Sequence, residues 1–182
     1  MPRFVALFRG INVGKAKRIA MADLRALLTS MGYGNVRTLL NSGNVVFDST
    51  GTASNKHATR IQTAVAESLG VDSLVVVKSA RDMAQVVADN PLASQPLDPS
   101  RLLVALTQDN HTLAALAPLG HTDWGHEQLH TGQHAAYVWC ADGILQSKAA
   151  VALMKGLADN GTTRNWATIE KIHAMLQSPD AL

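Results

Sequence analysis

Five residues near the middle of the chain, His126-Glu127-Gln128-Leu129-His130, have the spacing of the zinc-protease motif H-E-x-x-H. In that motif both histidines lie on one face of a helix, one turn apart, and bind the same zinc ion. Here Gly125 and Gly132 flank the motif and leave room for less than two helical turns. The residues that follow, AAYVWC, are typical of a strand. We therefore predict a β-hairpin in which the two histidines lie about 13 Å apart and cannot share a metal ion. His121 and His134 nearby offer only weak, adventitious affinity for added metal.

Other signatures of catalysis are absent from the sequence. It has three glutamates, and no pair of carboxylates has a spacing typical of acid–base catalysis. Ser42 lies in N-S-G-N rather than in the G-x-S-x-G turn of a hydrolase, and neither G-x-G-x-x-G nor a Walker A loop occurs. The single cysteine, Cys140, lies in an apolar stretch typical of a buried residue. The sequence therefore names no catalytic residue, no metal site and no cofactor, and it leaves open whether the protein is an enzyme.

Two polar segments near the N-terminus are candidates for ligand binding. Arg9 and Asn12 follow a buried apolar strand, FVALF, and Ser42 and Asn44 form a turn before a second apolar strand. We predict that these two strands pair antiparallel, which brings both segments to the same edge of a sheet. Glycines in both segments allow a ligand to approach the backbone closely, but these residue types are also good turn formers. A ligand site and an ordinary turn both remain open interpretations.

Two predicted helix starts in the second half combine a capping residue with a cation. Ser147 precedes a helix that begins with Lys148, and Asn165 or a preceding threonine caps the last helix beside Arg164. Free N–H groups at a helix start, together with a cation, suit an anion. With the basic loop GKAKR at 14–18, these features predict a phosphate-bearing ligand. Ordinary caps and a solvated basic loop are the alternative.

Hydrophobic periodicity and turn signals predict the elements that position these residues. The first half has the ferredoxin-like β-α-β-β-α-β order, with strand 4–8, helix 21–31, a hairpin around 41–44, helix 55–69 and strand 74–78, followed by helix 80–89. The second half repeats that order with strand 101–107, helix 112–117, strands 126–131 and 135–140, and helix 148–158. Its last strand is weak or missing, and a final helix covers 166–177.

The predicted fold class is therefore α+β, with two ferredoxin-like subdomains that form one compact body. We place the first subdomain at 1–90, a Pro-rich linker at 91–100, and the second subdomain with the terminal helix at 101–182. The strands FVALF and RLLVALT are apolar on both faces, so both faces need cover. We expect the last helix to pack back toward the first half for this reason.

Composition and charge exclude several classes of protein. Hydrophobic residues make up 47% and charged residues 16% of the 182-residue chain, which is typical of a globular protein. The net charge of +2 provides no strong field for nucleic acid. The apolar run near the N-terminus, FVALF, is too short for a signal peptide or a membrane span. We expect a cytoplasmic protein with no membrane partner, and the sequence does not determine its oligomeric state.

Three stretches of the sequence together resemble one bacterial family: FRGINVG (8–14), SGNVVF (42–47) and TTRNWATI (162–169). Nearly end to end, the chain resembles the family called domain of unknown function 1697, and the Ser147-Lys148 pair before a helix is also similar to that family. One departure is the segment TLLN before SGN, where the family more often has an aromatic residue. The resemblance implies a compact α+β fold of two subdomains and a cytoplasmic bacterial origin, with no established activity.

Three functional hypotheses follow. The first is a binding or regulatory protein for a small phosphorylated ligand such as a nucleotide, with a site formed by Arg9, Asn12, Ser42, Asn44, Ser147, Lys148, Arg164 and Asn165. The second is a nucleic-acid-associated protein that contacts phosphates through Lys15, Lys17, Arg18, Arg37 and Lys148. The third is an enzyme of unidentified reaction. An RNA-recognition domain fits less well, because the third strand offers only Phe47 for base stacking. Under the first hypothesis we expect Arg164 to face a polar cleft shared with Arg9 or Asn44.

Overall fold

The computed structural model describes residues 1–178 and divides the chain into two units. One unit comprises Met1–Met83 with the segment from Ile172 onward, and the other comprises Ala84–Lys171. The Pro-rich segment 91–100 lies inside the second unit. Among the described helices, none has the length and apolar character that a membrane span requires.

The first unit contains a four-stranded antiparallel sheet with the strand order β2-β3-β1-β4. Its elements are β1 (Arg3–Phe8), α1 (Met21–Ser30), β2 (Gly34–Leu39), β3 (Asn44–Asp48), α2 (Ser54–Leu69), β4 (Val75–Ser79) and the start of α3 (Ala80–Ala88). Because β1 lies between β3 and β4, Val5 is opposite Val46 on one side and Lys78 on the other. This is the predicted ferredoxin-like topology.

The second unit repeats this topology with the strand order β6-β7-β5-β8. Its elements are β5 (Leu102–Thr107), α4 (Asn110–Ala115), β6 (Gln128–Thr131), β7 (Ala136–Trp139), α5 (Lys148–Leu157), β8 (Gly161–Asn165) and the start of α6 (Trp166–Gln177). Short 3-10 helices lie at Ala117–His121 and Ile144–Gln146. The predicted fold class, α+β with two ferredoxin-like subdomains, is confirmed.

The last strand, which the sequence predicts to be weak or missing, is present. β8 pairs antiparallel with β5, from Asn165 opposite Leu103 to Gly161 opposite Thr107. Every residue of β5 is buried, so the backbone groups along its second edge need hydrogen-bond partners from the protein. The prediction that Arg164 lies beside a cap in the first turn of the last helix is therefore wrong, because Arg164 is on this strand.

Alternating residues of β1 and β3 build the core of the first unit against α1 and α2. The strands contribute Phe4, Ala6, Phe8, Val45 and Phe47, and the helices contribute Leu24, Leu28, Ile61 and Val65. The apolar positions of each helix are spaced by four residues, which places them on one face. Val5 and Leu7, on the opposite face of β1, are also fully buried, as the continuous apolar run FVALF predicts.

The second unit has an equivalent core between its sheet and α5. It includes Leu103, Ala105, Ala136, Val138, Leu153 and Leu157. Cys140 is buried in this core as a free cysteine, which agrees with its position in an apolar stretch. Burial raises the pKa of its thiol, which disfavours the thiolate form.

Two arginines of the first sheet hold the C-terminal end of α6, whose residues from Ile172 belong to this unit. Arg3 Nη1 donates to the carbonyl oxygen of Leu176 at 3.2 Å and also to that of Ser178. Arg37 Nη2 donates to the carbonyl oxygen of Met175 at 2.9 Å. The last carbonyls of a helix lack intrahelical partners and form the negative end of its dipole. The two guanidinium groups therefore stabilise this end of the helix.

Asp48 positions Arg3 for this contact and makes a pH-dependent contribution to stability. Arg3 Nε lies 3.0 Å from Asp48 Oδ1, and Asn35 Nδ2 donates to Asp48 Oδ2 at 2.7 Å. Burial tends to raise the pKa of Asp48, but the hydrogen bonds from Asn35 and Arg3 outweigh burial and hold that pKa below its usual value. In acid the unfolded chain therefore binds a proton before the folded one does.

We predict that the free energy of unfolding falls as the pH drops below about 4, the pKa of an unperturbed aspartate. Part of this loss comes from Asp48, so the Asp48→Asn variant starts less stable at neutral pH and loses less on acidification. Urea unfolding of both proteins between neutral pH and acid measures the two slopes. Equal losses over that interval would show that Asp48 titrates alike in the folded and unfolded chains.

Candidate functional site

The two N-terminal polar segments lie side by side at one edge of the first sheet, as the sequence predicts. The backbone nitrogen of Phe8 donates to the carbonyl oxygen of Gly43 at 2.9 Å. Asn12 Nδ2 donates to the carbonyl oxygen of Asn41 at 2.7 Å. Both contacts follow from the antiparallel pairing of β1 with β3, because the end of one strand is level with the start of the other. The convergence of these two motifs is confirmed.

Asn12 closes the loop that follows β1. Its Nδ2 also donates to the carbonyl oxygen of Ile19 at 2.9 Å, and its Oδ1 accepts from the backbone nitrogen of Ile19 at 2.8 Å. Its own backbone nitrogen donates to the carbonyl oxygen of Lys17 at 3.0 Å. The amide thus has both hydrogens and its oxygen engaged within the protein. Asn12 is a positioning residue that fixes both ends of the loop and ties them to the Asn41 turn.

The loop that Asn12 closes, residues 13–18, is exposed along its whole length and is called the basic loop below. It carries Lys15, Lys17 and Arg18, of which Arg18 Nη1 lies 3.4 Å from the carbonyl oxygen of Asn12. Within residues 1–178, no carboxylate forms an ion pair with these three cations. Three positive charges within four residues repel one another, and an anion placed among them relieves that repulsion.

The turn before β3 is built for close packing. Asn44 is fully buried, and its Nδ2 donates to the carbonyl oxygen of Leu39 at 2.7 Å and to Ser42 Oγ at 3.1 Å. Gly43 has a φ of +87°, and a Cβ atom there would lie 2.6 Å from Ile11 Cδ1. Asn44 and Gly43 therefore shape the turn, whereas Ser42 is exposed.

Arg9 is half-buried at the same edge, and its backbone is fixed on both sides. Its nitrogen donates to the carbonyl oxygen of Leu74 at 2.9 Å, and its carbonyl oxygen accepts from Ser73 Oγ at 2.7 Å. The backbone of Arg9 is thus fixed at the point where β1 ends. The sequence correctly groups Arg9, Asn12, Ser42 and Asn44 in space. In the structure Ser42 is exposed, Arg9 and Asn12 are half-buried, and Asn44 is buried.

The predicted helix start at Ser147 is capped by the protein itself. Ser147 Oγ accepts from the backbone nitrogen of Ala150 at 2.9 Å, which confirms Ser147 as the N-cap. Glu127 Oε1 accepts from the backbone nitrogens of Lys148 at 3.0 Å and Ala149 at 3.4 Å, and its Oε2 accepts from the Ser147 hydroxyl. A carboxylate at this position favours the positive end of the helix dipole. The N–H groups that the sequence assigns to a bound anion are already satisfied by Glu127.

Glu127 belongs to the H-E-x-x-H motif, so its carboxylate is engaged at this helix start. The motif enters β6 and not a helix, as predicted, with His126 exposed ahead of the strand and His130 half-buried within it. His130 Nε2 lies 3.4 Å from Gln128 Oε1. In the described part of the chain, no three His, Cys, Asp or Glu side chains are grouped closely enough to hold a metal ion. The motif therefore contributes residues to the β6–β7 hairpin and, through Glu127, caps α5.

Arg164 and Asn165 have different roles at the end of β8. Asn165 Oδ1 accepts from the backbone nitrogen of Thr168 at 2.9 Å and so caps α6. Arg164 is only 8% exposed, and its Nη1 donates to Thr162 Oγ1 at 2.9 Å and to the carbonyl oxygen of Thr163 at 2.8 Å. Burial lowers the pKa of Arg164 to about 10, which still leaves the guanidinium group charged at neutral pH. A cation this deeply buried depends on such hydrogen bonds.

One buried polar pair was missed by sequence analysis. Tyr33 Oη lies 3.0 Å from His57 Nδ1, and His57 Nε2 donates to the carbonyl oxygen of Gly51 at 3.1 Å. Because a carbonyl oxygen can only accept, Nδ1 is the acceptor and the tyrosine hydroxyl donates to it. The pair packs among Phe4 and Phe47, and burial raises the pKa of Tyr33. Each partner lies alone in an otherwise ordinary segment, so no local pattern indicates the pair.

Two surface cavities are lined by other residues. One, of about 400 Å³, is lined by Thr59, Gln62, Thr63, Ala66, Glu67 and Asp72. The other, of about 390 Å³, is lined by Ser100, Arg101, Asp142, Gly143, Ile144, Leu145 and Gln146. Neither lining includes a residue of the predicted ligand site.

The geometry defines a duplicated ferredoxin-like α+β protein with a fixed basic loop at one sheet edge. This chain belongs to the family described as "Protein of unknown function (DUF1697)", whose sequence profile matches residues 1–137. The resemblance found in the sequence is thus confirmed, although the TTRNWATI stretch lies beyond the matched residues.

Among solved structures, the chain is similar to the conserved bacterial protein SP0830 from Streptococcus pneumoniae. The two sequences are 25% identical, the TM-score is 0.79, and the match covers 97% of this chain and 99% of the other. No curated protein sequence matches the chain. Membership of the family rests on the profile match, and the structural match shows a shared fold. Neither description contains an activity.

Gly43 lies where the two polar segments meet, and its packing there can be tested by substitution. Gly43→Ala adds the strain of a positive φ, about 1–2 kcal/mol, and a clash with Ile11 and Phe8, about 1–3 kcal/mol, so we expect a loss of about 2–5 kcal/mol. Gly10 has a φ of +67°, and a Cβ atom there would have no neighbour within 4 Å, so Gly10→Ala isolates the strain. Denaturant unfolding compares the two variants. Equal losses would mean that the close packing of Gly43 is unimportant.

The role of Glu127 as a helix cap can be tested in the same way. Glu127→Ala leaves the Ser147 hydroxyl and two backbone N–H groups without their acceptor, so we expect a loss of about 1–3 kcal/mol in the free energy of unfolding. His130→Ala and the exposed control Glu67→Ala should each change stability by less than about 0.5 kcal/mol. Metal analysis of untagged protein should find no stoichiometric zinc. One zinc ion per chain that disappears in His130→Ala would instead establish a metal site at this motif.

Proposed function

We propose that this protein is a cytoplasmic binding module that recognises the phosphate of a small ligand, such as a nucleotide, through its basic loop. The observation that carries the proposal is the Asn12 clamp. Hydrogen bonds from one side chain to Ile19 and Asn41 hold a short, fully exposed segment with three cations in a fixed position. A loop that is already ordered loses less conformational entropy when it binds.

The chemistry of the loop suits phosphate better than a carboxylate or an apolar ligand. Lys15 and Lys17 supply compact charges, and Arg18 supplies the planar donor set that matches phosphate oxygens. Ser42, exposed beside the clamp, and Arg9, anchored at the end of β1, would complete the donor set in this proposal. Asn12 and Asn44 then act indirectly, by holding the loop and the turn.

The other members of the predicted ligand set are not needed for this proposal. The Ser147 hydroxyl and the backbone nitrogen of Lys148 already donate hydrogen bonds to Glu127, and Asn165 caps α6. Arg164 is a buried residue of β8 whose charge is held by hydrogen bonds. The proposed site therefore lies within the first unit alone.

Nucleic acid is the second candidate, because its phosphates would meet the same cations. One member of that predicted set, Arg37, donates to the carbonyl oxygen of Met175 and is engaged in holding α6. The remaining cations of the loop would give a shallow dependence of affinity on salt, with a slope of about −2 for three contacts on a single strand. A small ligand would show a weaker dependence set by its own charge.

We predict that pyrophosphate or a nucleoside triphosphate at 100 times its Kd adds about 2.7 kcal/mol to the free energy of unfolding. The Lys15→Ala/Lys17→Ala/Arg18→Ala variant should lose this gain, while its stability without ligand stays within about 0.5 kcal/mol of wild type. Thermal unfolding with and without ligand measures both quantities. A control that removes three exposed cations elsewhere, Lys56→Ala/Arg81→Ala/Lys171→Ala, should keep the full gain.

A second variant tests the clamp separately from the charge. Asn12→Gly accepts the left-handed backbone, keeps all three cations and removes the side-chain hydrogen bonds. We expect weaker binding from this variant, because the loop must then be ordered by the ligand. Stabilisation that survives loss of the three cations would place the phosphate site elsewhere, and absence of stabilisation in the wild type by any phosphate ligand would end the proposal.

A further inference from the structure

Two aliphatic side chains are exposed at the same edge as the basic loop. Val13 is 73% exposed and Leu40 is 49% exposed. They flank the hydrogen bond that joins Asn12 Nδ2 to the carbonyl oxygen of Asn41 at 2.7 Å, so they lie on adjacent turns. Val13 follows Asn12, and Leu40 precedes Asn41. The hydrogen bond between Asn12 and Asn41 therefore fixes both turns relative to the three cations.

The backbone of Leu40 is unusual for its residue type. Its φ of +59° lies in the left-handed region, where a Cβ atom is crowded and where glycine or asparagine is ordinarily found. The side chain that imposes this strain is half-exposed, so packing within the protein does not account for its presence. A strained position held by a locally destabilising residue is typical of a functional surface.

The combination of three cations with two exposed aliphatic side chains suits the phosphate headgroups of an anionic lipid surface. All of residues 13–18 are exposed, so the loop is accessible to an extended anionic surface. Lysine and arginine beside aliphatic residues are typical of segments that lie in the headgroup region of a bilayer. Neither the loop nor the turn contains an aromatic residue on which a nucleic-acid base would stack.

We infer that this edge of the first unit binds the phosphate headgroups of an anionic bilayer, with Val13 and Leu40 entering its interfacial layer. The inference rests on the proposed function, phosphate recognition by the basic loop, and names lipid as the source of the phosphate. The expectation of no membrane partner came from the lack of a spanning segment, and contact at a surface requires none.

The test is sedimentation of the full chain with vesicles of phosphatidylcholine alone or mixed with phosphatidylglycerol. We expect binding only to the mixed vesicles, weakened by added salt. The Lys15→Ala/Lys17→Ala/Arg18→Ala variant should bind about a hundredfold less well, or about fivefold per cation, which corresponds to about 1 kcal/mol each. The Lys56→Ala/Arg81→Ala/Lys171→Ala control should bind like wild type.

Leu40→Asn separates a role at the bilayer from a role in the fold. Asparagine tolerates the left-handed backbone, so this variant should unfold at a higher temperature and yet bind mixed vesicles several-fold less well. Val13→Ser should also weaken binding. Leu145→Ser removes a 95% exposed leucine of the second unit and should leave binding unchanged. If Leu40→Asn stabilises the fold without weakening binding, Leu40 has no part in the contact and the inference fails.

Soluble phosphate distinguishes failure of this inference from failure of the proposed function. If pyrophosphate stabilises the protein through the basic loop but mixed vesicles do not bind, the proposed function stands and lipid is not the source of the phosphate. Binding to both that requires the basic loop supports both. Equal binding to neutral and anionic vesicles overturns headgroup recognition, and binding to neither phosphate nor vesicles ends both proposals.

Discussion

Both units depend on a central strand whose two faces are closed to water. In β1 and β5 the residues on either face are buried, including Val5 and Leu7 in one strand and Val104 and Leu106 in the other. Backbone groups in such a strand have no access to solvent, so each edge requires a hydrogen-bonded neighbour. Antiparallel strands on both sides meet this requirement and produce the shared strand order. This pairing also sets the position of the basic loop. β3 completes one edge of β1, so the turn before β3 lies beside the end of β1, which leads into the basic loop.

Much of this architecture can be predicted from local sequence signals. Apolar residues four positions apart identify α1 and α2, and the Asn41–Asn44 turn between apolar runs identifies the hairpin of β2 and β3. β8 lacks such a signal, because GTTRN has no apolar residue and its threonines are also good helix caps. Whether those residues form a strand is decided by the open edge of β5, more than fifty residues earlier in the chain. That information is not local, so the sequence pattern of residues 161–165 does not indicate a strand.

The candidate site was harder to predict for a related reason. A helix start that needs a cap and a helix start that binds an anion have the same residues in sequence. For α5 the choice is made by Glu127, which lies twenty residues before Ser147 and reaches it only because β6 and β7 fold as a hairpin. Asn12 is similar, since its role is set by Asn41 as much as by its own loop. The grouping of Arg9, Asn12, Ser42 and Asn44 can be predicted from the sequence, whereas their individual roles depend on partners that folding supplies.

The end of α6 has a consequence for the order in which the protein is made. Met1–Met83 are translated before the second unit, but the carbonyls that accept from Arg3 and Arg37 belong to α6, which follows β8. Until that helix is synthesised, the two guanidinium groups lack these acceptors, and Arg3 keeps its ion pair with Asp48. The second unit is complete in sequence by Lys171, before the final residues of the first unit have been translated. The first unit therefore lacks this part of α6 until the second unit has been translated, and its sheet must stay accessible to α6 until then.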